Sequence, residues 1–147
     1  MGSSAALLTV SLAAAVSVGA IIGALFGTTR PAMAQEAVAS EVSVNGASSV
    51  TLYLHPFLTE EELSTLRLVA TNDQALSLFV TSRAGHAALA ASPDDGFVRD
   101  GKPAASAIAL ADLPDADAAG KAAIEACDKL RKGAAPCVVL LQVAPSQ

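Results

Sequence analysis

The chain has 147 residues and carries 9 basic and 14 acidic side chains, a formal net charge of −5 at neutral pH. Its aromatic content is four phenylalanines and one tyrosine, and no basic cluster is larger than Arg131 and Lys132. An acidic balance with no stacking platform argues against nucleic acid or an anionic membrane surface as a partner.

Residues 5–27, AALLTVSLAAAVSVGAIIGALFG, are uncharged, and Ala32, Met33 and Ala34 follow in the small-x-small pattern that signal peptidase prefers. The expectation is a secretory signal in residues 1–34, cut between Ala34 and Gln35. Two features resist that reading and keep an uncleaved inner-membrane anchor as the alternative. The start MGSS has no Lys or Arg, and the apolar run reaches the ~20 residues that span a bilayer. The protein would touch a membrane only in that second case, and in both cases the remainder is exported to the periplasm or beyond. Cleavage would remove 34 residues and one base, Arg30, but no acid, leaving 113 residues with a formal charge of −6. Such a chain is one domain with one modest core.

Residues 35–49, QEAVASEVSVNGASS, are small and polar and read as a flexible linker, so the domain is expected over residues 50–147. VTLYLHP, residues 50–56, alternates as a short strand and stops at Pro56. LTEEELSTLRLV opens with Thr59 and Glu62 in the spacing of a capping box, and Leu58 and Leu63 suit a hydrophobic staple. A helix is expected from Glu60 to Ala70, with Leu63, Leu66 and Ala70 facing inward. In TNDQALSLFVTS, Asn72 or Asp73 suits a helix cap, whereas Leu76, Leu78 and Val80 alternate, and the alternation favours a strand over 76–81.

HAALAAS, residues 86–92, has the small side chains of a strand pressed closely by a helix. Ser92 to Gly96 form a turn in which the aspartates bond their own backbone and Gly96 takes a positive φ, and RDGKP is a second turn. SAIALADL returns as a strand. PDADAAGKAAIEACDKLRKG has acids at its start, bases at its end and Gly133 where a terminating glycine belongs. Its inward stripe is Ala116, Gly120, Ala123, Ile124, Cys127 and Leu130. CVVLLQV is apolar on both faces, as in a central strand. The expected class is α+β: a single small, mostly antiparallel sheet packed by two helices.

The two cysteines, Cys127 and Cys137, lie at a helix end and at the start of the next strand, which brings them close. A redox pair belongs at a helix amino terminus, where the dipole lowers the thiol pKa, and Cys127 sits at the other end. Zinc needs about four ligands, and two distant histidines do not supply the rest. In an oxidising compartment the pair should form a disulfide, two buried free thiols being the alternative. Neither the cysteines nor the other side chains point to a metal or cofactor.

His55 and His86 stand at a strand end and a strand start, where both would lie on one sheet edge. Neither has a nucleophile or ligand spacing beside it, so a structural or solvated role is the simpler reading. Asp94 and Asp95 lack the alternating acids and closing Glu of a calcium loop and read as turn residues. Asp112, Asp115 and Asp117 read as dipole and capping residues of the following helix.

Ala88, Ala90, Ser92 and Pro93, then Gly96, the alanine-rich run from Ala118 to Cys127, and Cys137 with Val139 resemble small exported bacterial domains of unknown function. In those domains a strand, a turn, an alanine-rich helix ending in Cys and a strand beginning with Cys follow in this order. The aromatic residues such domains often carry in the second strand are replaced here by SAIALA. The stretch HPFLTEEELSTLRLVATNDQALSLFV is also similar to short alphaproteobacterial proteins labelled 5-aminolevulinate synthase. That label implies pyridoxal phosphate on a Schiff-base lysine in a large fold, which 113 residues cannot supply. Neither resemblance provides catalytic residues. The function these features favour is a non-enzymatic binding or accessory protein of the cell envelope, attached to an envelope or membrane complex. The alternative is a small periplasmic enzyme or ligand carrier with a pocket near His55 or His86.

Overall fold

A computed structural model describes residues 37–145, and the expected signal or anchor and its cleavage site at Ala34 and Gln35 lie outside them. The domain is α+β, with a five-stranded sheet, a two-stranded ribbon and three helices. The first strand, β1, is Ser40–Asn45, within the stretch expected to be a linker. It pairs antiparallel with β2, Ser48–Tyr53, through a two-residue loop, Gly46–Ala47. Gly46 has φ +61, which suits the glycine-first pattern of a type II′ hairpin turn. The polar residues of β1 are paid back by pairing: Ser43 Oγ and Asn45 Nδ2 both donate to the Ala70 carbonyl, and Glu41 pairs with Arg67 at 2.8 Å.

Helix α1, Glu60–Thr71, has the expected capping box, with the Thr59 hydroxyl accepting from the Glu62 N–H and the Glu62 carboxylate accepting from the Thr59 N–H. Leu66, Val69 and Ala70 are buried along it. The strand expected over 76–81 is instead a helix, α2, Asp73–Phe79. Asn72 caps it by accepting from the Ala75 N–H at 2.9 Å, and a helical pitch separates residues that a strand would align. Leu76 is fully buried while Leu78 is 80% exposed.

Strand β3, His86–Ala91, is followed by the short pair β4, Val98–Arg99, and β5, Lys102–Pro103. Asp100 and Gly101, both at positive φ, form the turn of that pair. Strand β6 is Ile108–Leu113, helix α3 is Ala116–Asp128, and strand β7 is Val138–Pro145. The sheet order is β1-β2-β7-β3-β6, antiparallel throughout. A register shift leaves Leu140 as an extra residue opposite β3, so Leu140 and Leu141 both enter the core.

Helices α1 and α2 bury Val50, Leu52, Leu89, Leu140, Leu141 and Val143 against one face, together with Phe97. Helix α3 covers part of the other face over Ala88 and Ala90, with Ala119, Ala123 and the cysteines. Small residues set its close approach: a Cβ on Gly120 would stand 3.3 Å from Gln142 Nε2. Helix α3 stops at Asp128, earlier than Gly133, and Leu130 is 52% exposed rather than inward. The Leu130 and Arg131 N–H groups both turn back to the Cys127 carbonyl, and Asp128 accepts from the Cys137 N–H at 2.9 Å. Gly133 serves a different purpose, since a Cβ there would run into Asp94.

Candidate functional site

Cys127, in the last turn of α3, and Cys137 form a disulfide, with Cα atoms 6.1 Å apart and both residues buried. It joins the helix end to the start of β7, and it is compatible with an oxidising location. The loop it ties is held again from the other side. Asp95 accepts from the Ser106 hydroxyl at 2.7 Å and the Lys132 N–H at 3.1 Å, and Asp94 accepts from the Ala135 N–H at 2.9 Å. The two aspartates therefore secure a loop some 40 positions away rather than their own turn, while Gly96 takes the expected positive φ. The hydroxyl of Ser106 holds the Asp95 carboxyl below its ordinary range, with help from the Lys132 backbone. A hollow of about 240 Å³ beside them is lined by Asp95, Arg99, Leu130 and Lys132.

Glu62 is the one fully buried acid among the described residues, at 1% exposure. One carboxylate oxygen accepts from the Thr59 N–H at 2.9 Å and from the Thr59 hydroxyl at 3.1 Å. The other accepts from the Phe97 N–H at 2.7 Å, the Val98 N–H at 3.1 Å and the Arg99 guanidinium at 2.7 Å. Burial raises its pKa, but the backbone donors of Thr59, Phe97 and Val98, aided by Arg99, outweigh it and leave the group lowered. One oxygen closes the cap of α1 and the other holds α1 to the start of β4, so Glu62 is a structural clamp. Its capping role was readable from Thr59-x-x-Glu62; its reach to residues 97–99 had no local signal.

The histidines lie at opposite ends of the sheet, not on one edge. His55 Nε2 donates to the Val139 carbonyl at 2.8 Å, and Val139 pairs with Ala90. His86 pairs with Leu113, and its neighbour Ala87 pairs with Val143. A carbonyl only accepts, so Nε2 of His55 carries a proton; its ring stacks on Phe57 at 5.5 Å between centroids. The buried Nδ1 of His86 has no hydrogen-bond partner. Among the described residues no carboxylate is hydrogen-bonded to either ring, and no group of three or more His, Cys, Asp or Glu is placed to hold a metal ion. Of the helix acids, Asp115 caps α3 by accepting from the Ala118 N–H at 2.7 Å and Asp117 lies in the first turn. Asp112 does not cap: it sits in β6 at φ +63 and bonds the Ser82 hydroxyl.

Beside His55 the sheet is bare. Pairing puts Val42, Thr51, Gln142 and Ala88 in one row across the sheet, with Val44, Ser49 and Ala144 in the next. Helix α3 covers Ala88 and ends its reach at Gln142, whose Nε2 donates to the Ala116 carbonyl and whose Oε1 accepts from the Tyr53 hydroxyl at 2.8 Å. Beyond that column no described element covers β1 and β2. Val42 is 69% exposed, Val44 76% and Val38 38%. Val38 also lines a groove of about 400 Å³ at the Tyr53 end of this face, together with Ala37, Tyr53, His55 and Val139. Apolar side chains grouped on an open face next to a groove, with hydrogen-bonding tips from tyrosine and histidine, have the make-up of a recognition surface. The small polar make-up of residues 35–49 reads as a linker and hides these valines, although the V-S-V alternation before Asn45-Gly46 is a hairpin signal.

No family model matches the chain, and no curated protein or solved structure does, so neither resemblance seen in the sequence gains support from these comparisons.

Proposed function

We propose that the chain is an exported, non-enzymatic accessory domain of the cell envelope that binds a protein partner through the bare face of β1 and β2. The exposure of Val42 and Val44 on one open face, with Val38 in the groove at its end, carries this reading, because apolar side chains grouped on an uncovered face mark interaction sites. Export is supported by the uncharged run of residues 5–27 with Ala32, Met33 and Ala34 behind it, and by a disulfide that an oxidising periplasm would preserve. The acidic balance favours a protein partner over nucleic acid.

Native purification from the source envelope tests the proposal. A co-purifying protein that is lost from the double variant Val42→Asp, Val44→Asp, with the domain still folded, is the expected result. A species with no companion protein overturns it.

A second reading, a small-ligand carrier or enzyme, is favoured by one observation: His55 lines a groove of a size that admits a small molecule. With Nε2 committed to Val139, the other ring nitrogen would be the group that meets a ligand. His86 lines neither of the two hollows, so this reading narrows to His55. A His55→Ala variant that keeps full activity in a ligand or substrate screen would remove it.

A further inference from the structure

The free edge of β1 has a geometry that complements itself. Ala39 accepts from the Leu54 N–H at 2.8 Å, and Asn45 closes the hairpin opposite Ser48. In an antiparallel pair, hydrogen-bonded and non-hydrogen-bonded positions alternate. The odd-numbered residues Glu41, Ser43 and Asn45 therefore bond to β2, while Ser40, Val42 and Val44 turn their N–H and C=O groups outward. Among the described residues nothing pairs with that edge, since β1 is terminal in the sheet.

The two edges of the sheet differ in their protection. Strand β6, at the far edge, is broken by Asp112 at positive φ and by a register shift between His86 and Ala88, and Pro114 follows it directly. Such irregularities blunt an edge against further pairing. Strand β1 has six residues with no proline, no lysine and no register shift. Its one charge, Glu41, is turned to the α1 side and neutralised by Arg67.

We infer that β1 pairs antiparallel with β1 of a second copy, across a two-fold axis at Ser43, to make one continuous ten-stranded sheet. The alternation allows only registers in which outward residues meet outward residues. Centring on Ser43 sets Val42 opposite Val44 of the other copy twice over, and sets Glu41 opposite Asn45. Centring on Glu41 would oppose two carboxylates, and centring on Val42 would leave each Val44 facing a serine. A two-fold axis makes the contact self-complementary and closed, so pairing ends at a dimer. It also places the two bare faces side by side, doubling the surface proposed for a partner.

The test is the concentration dependence of both mass and backbone exchange in the protein as isolated from its host. Sedimentation should show two chains at tens of micromolar and one on strong dilution. The Val42 and Val44 amides should pass from fast to at least tenfold slower hydrogen exchange over the same range. Val42→Pro removes an outward N–H and spares the β1–β2 ladder, so it should give a monomer with unchanged disulfide and circular dichroism. If that variant misfolds, the exchange of the unaltered protein still decides. A single-chain mass at every concentration would overturn the inference. So would Val42 and Val44 amides whose exchange does not depend on concentration, whether fast or protected by another segment of the same chain or by another protein.

Discussion

One face of the sheet is finished in two different ways. Over β3 and β6, and the near part of β7, it carries alanines, a glycine-bearing helix and a disulfide, all fitted at close range. Over β1 and β2 it carries valines, serines and a tyrosine, and no described element lies on them. The same period-two alternation produces both halves, so patterning alone does not distinguish them. Side-chain size does: small residues appear where backbone meets backbone, and larger apolar ones where something else must fill the space. The covered half is thus committed to stability, and the bare half is the one proposed to meet a partner.

Substitutions should separate the two halves severalfold in their cost to folding. The largest effect is expected at Glu62, the clamp that supports the frame common to both. Glu62→Ala would lose a cap and leave buried donors without an acceptor, at about 3–5 kcal/mol in urea unfolding. The same clamp sets a pH dependence. Its pKa is lower in the folded chain than in the unfolded one, so its contribution is complete above the ordinary carboxylate range and is lost as pH falls through the lowered value. Glu41, held down by Arg67, and Asp95, held down by Ser106, act in the same direction. Stability should therefore fall steeply on acidification, and the Glu62→Ala variant should show a shallower fall.

Removing the disulfide comes next. For a loop closed over ten positions the chain-entropy model gives about 2.5 to 3 kcal/mol, read as a lower denaturation midpoint for the Cys127→Ser, Cys137→Ser variant. Ala88→Val, in the covered half, should cost about 1–3 kcal/mol because α3 has no room to retreat. Val44→Thr, in the bare half, should change stability by less than about 0.5 kcal/mol and yet weaken partner capture. A large folding cost at Val44 would break the contrast, and a negligible one at Ala88 would blur it.

The α+β class, the α1 capping box, the turn at Gly96 and the cysteine pairing were legible because each rests on neighbours in the chain. Three elements were not. Strand β1 looked like a linker since its polar residues find partners only through α1, in Arg67 and the Ala70 carbonyl. Helix α2 looked like a strand since Leu76 and Leu78 suggest alternation, whereas the Asn72 cap, a single side chain, decides for a helix. The end of α3 is hidden because Gly133 suits a helix stop, while the actual stop is set by the turn back onto Cys127 and by the contact of Asp128 with Cys137. The bare face itself was out of reach: that α3 extends to Gln142 and no farther is a fact of tertiary packing.

The docking role of that face can be examined by placing a photoreactive residue at Val44 and, separately, at Leu78, which is equally exposed but lies on α2. Irradiation in the intact envelope should link position 44 to one discrete protein besides the second copy of the domain, and leave position 78 unlinked. Equal labelling at both positions, or no product from position 44, would contradict the assignment of the bare half to partner binding.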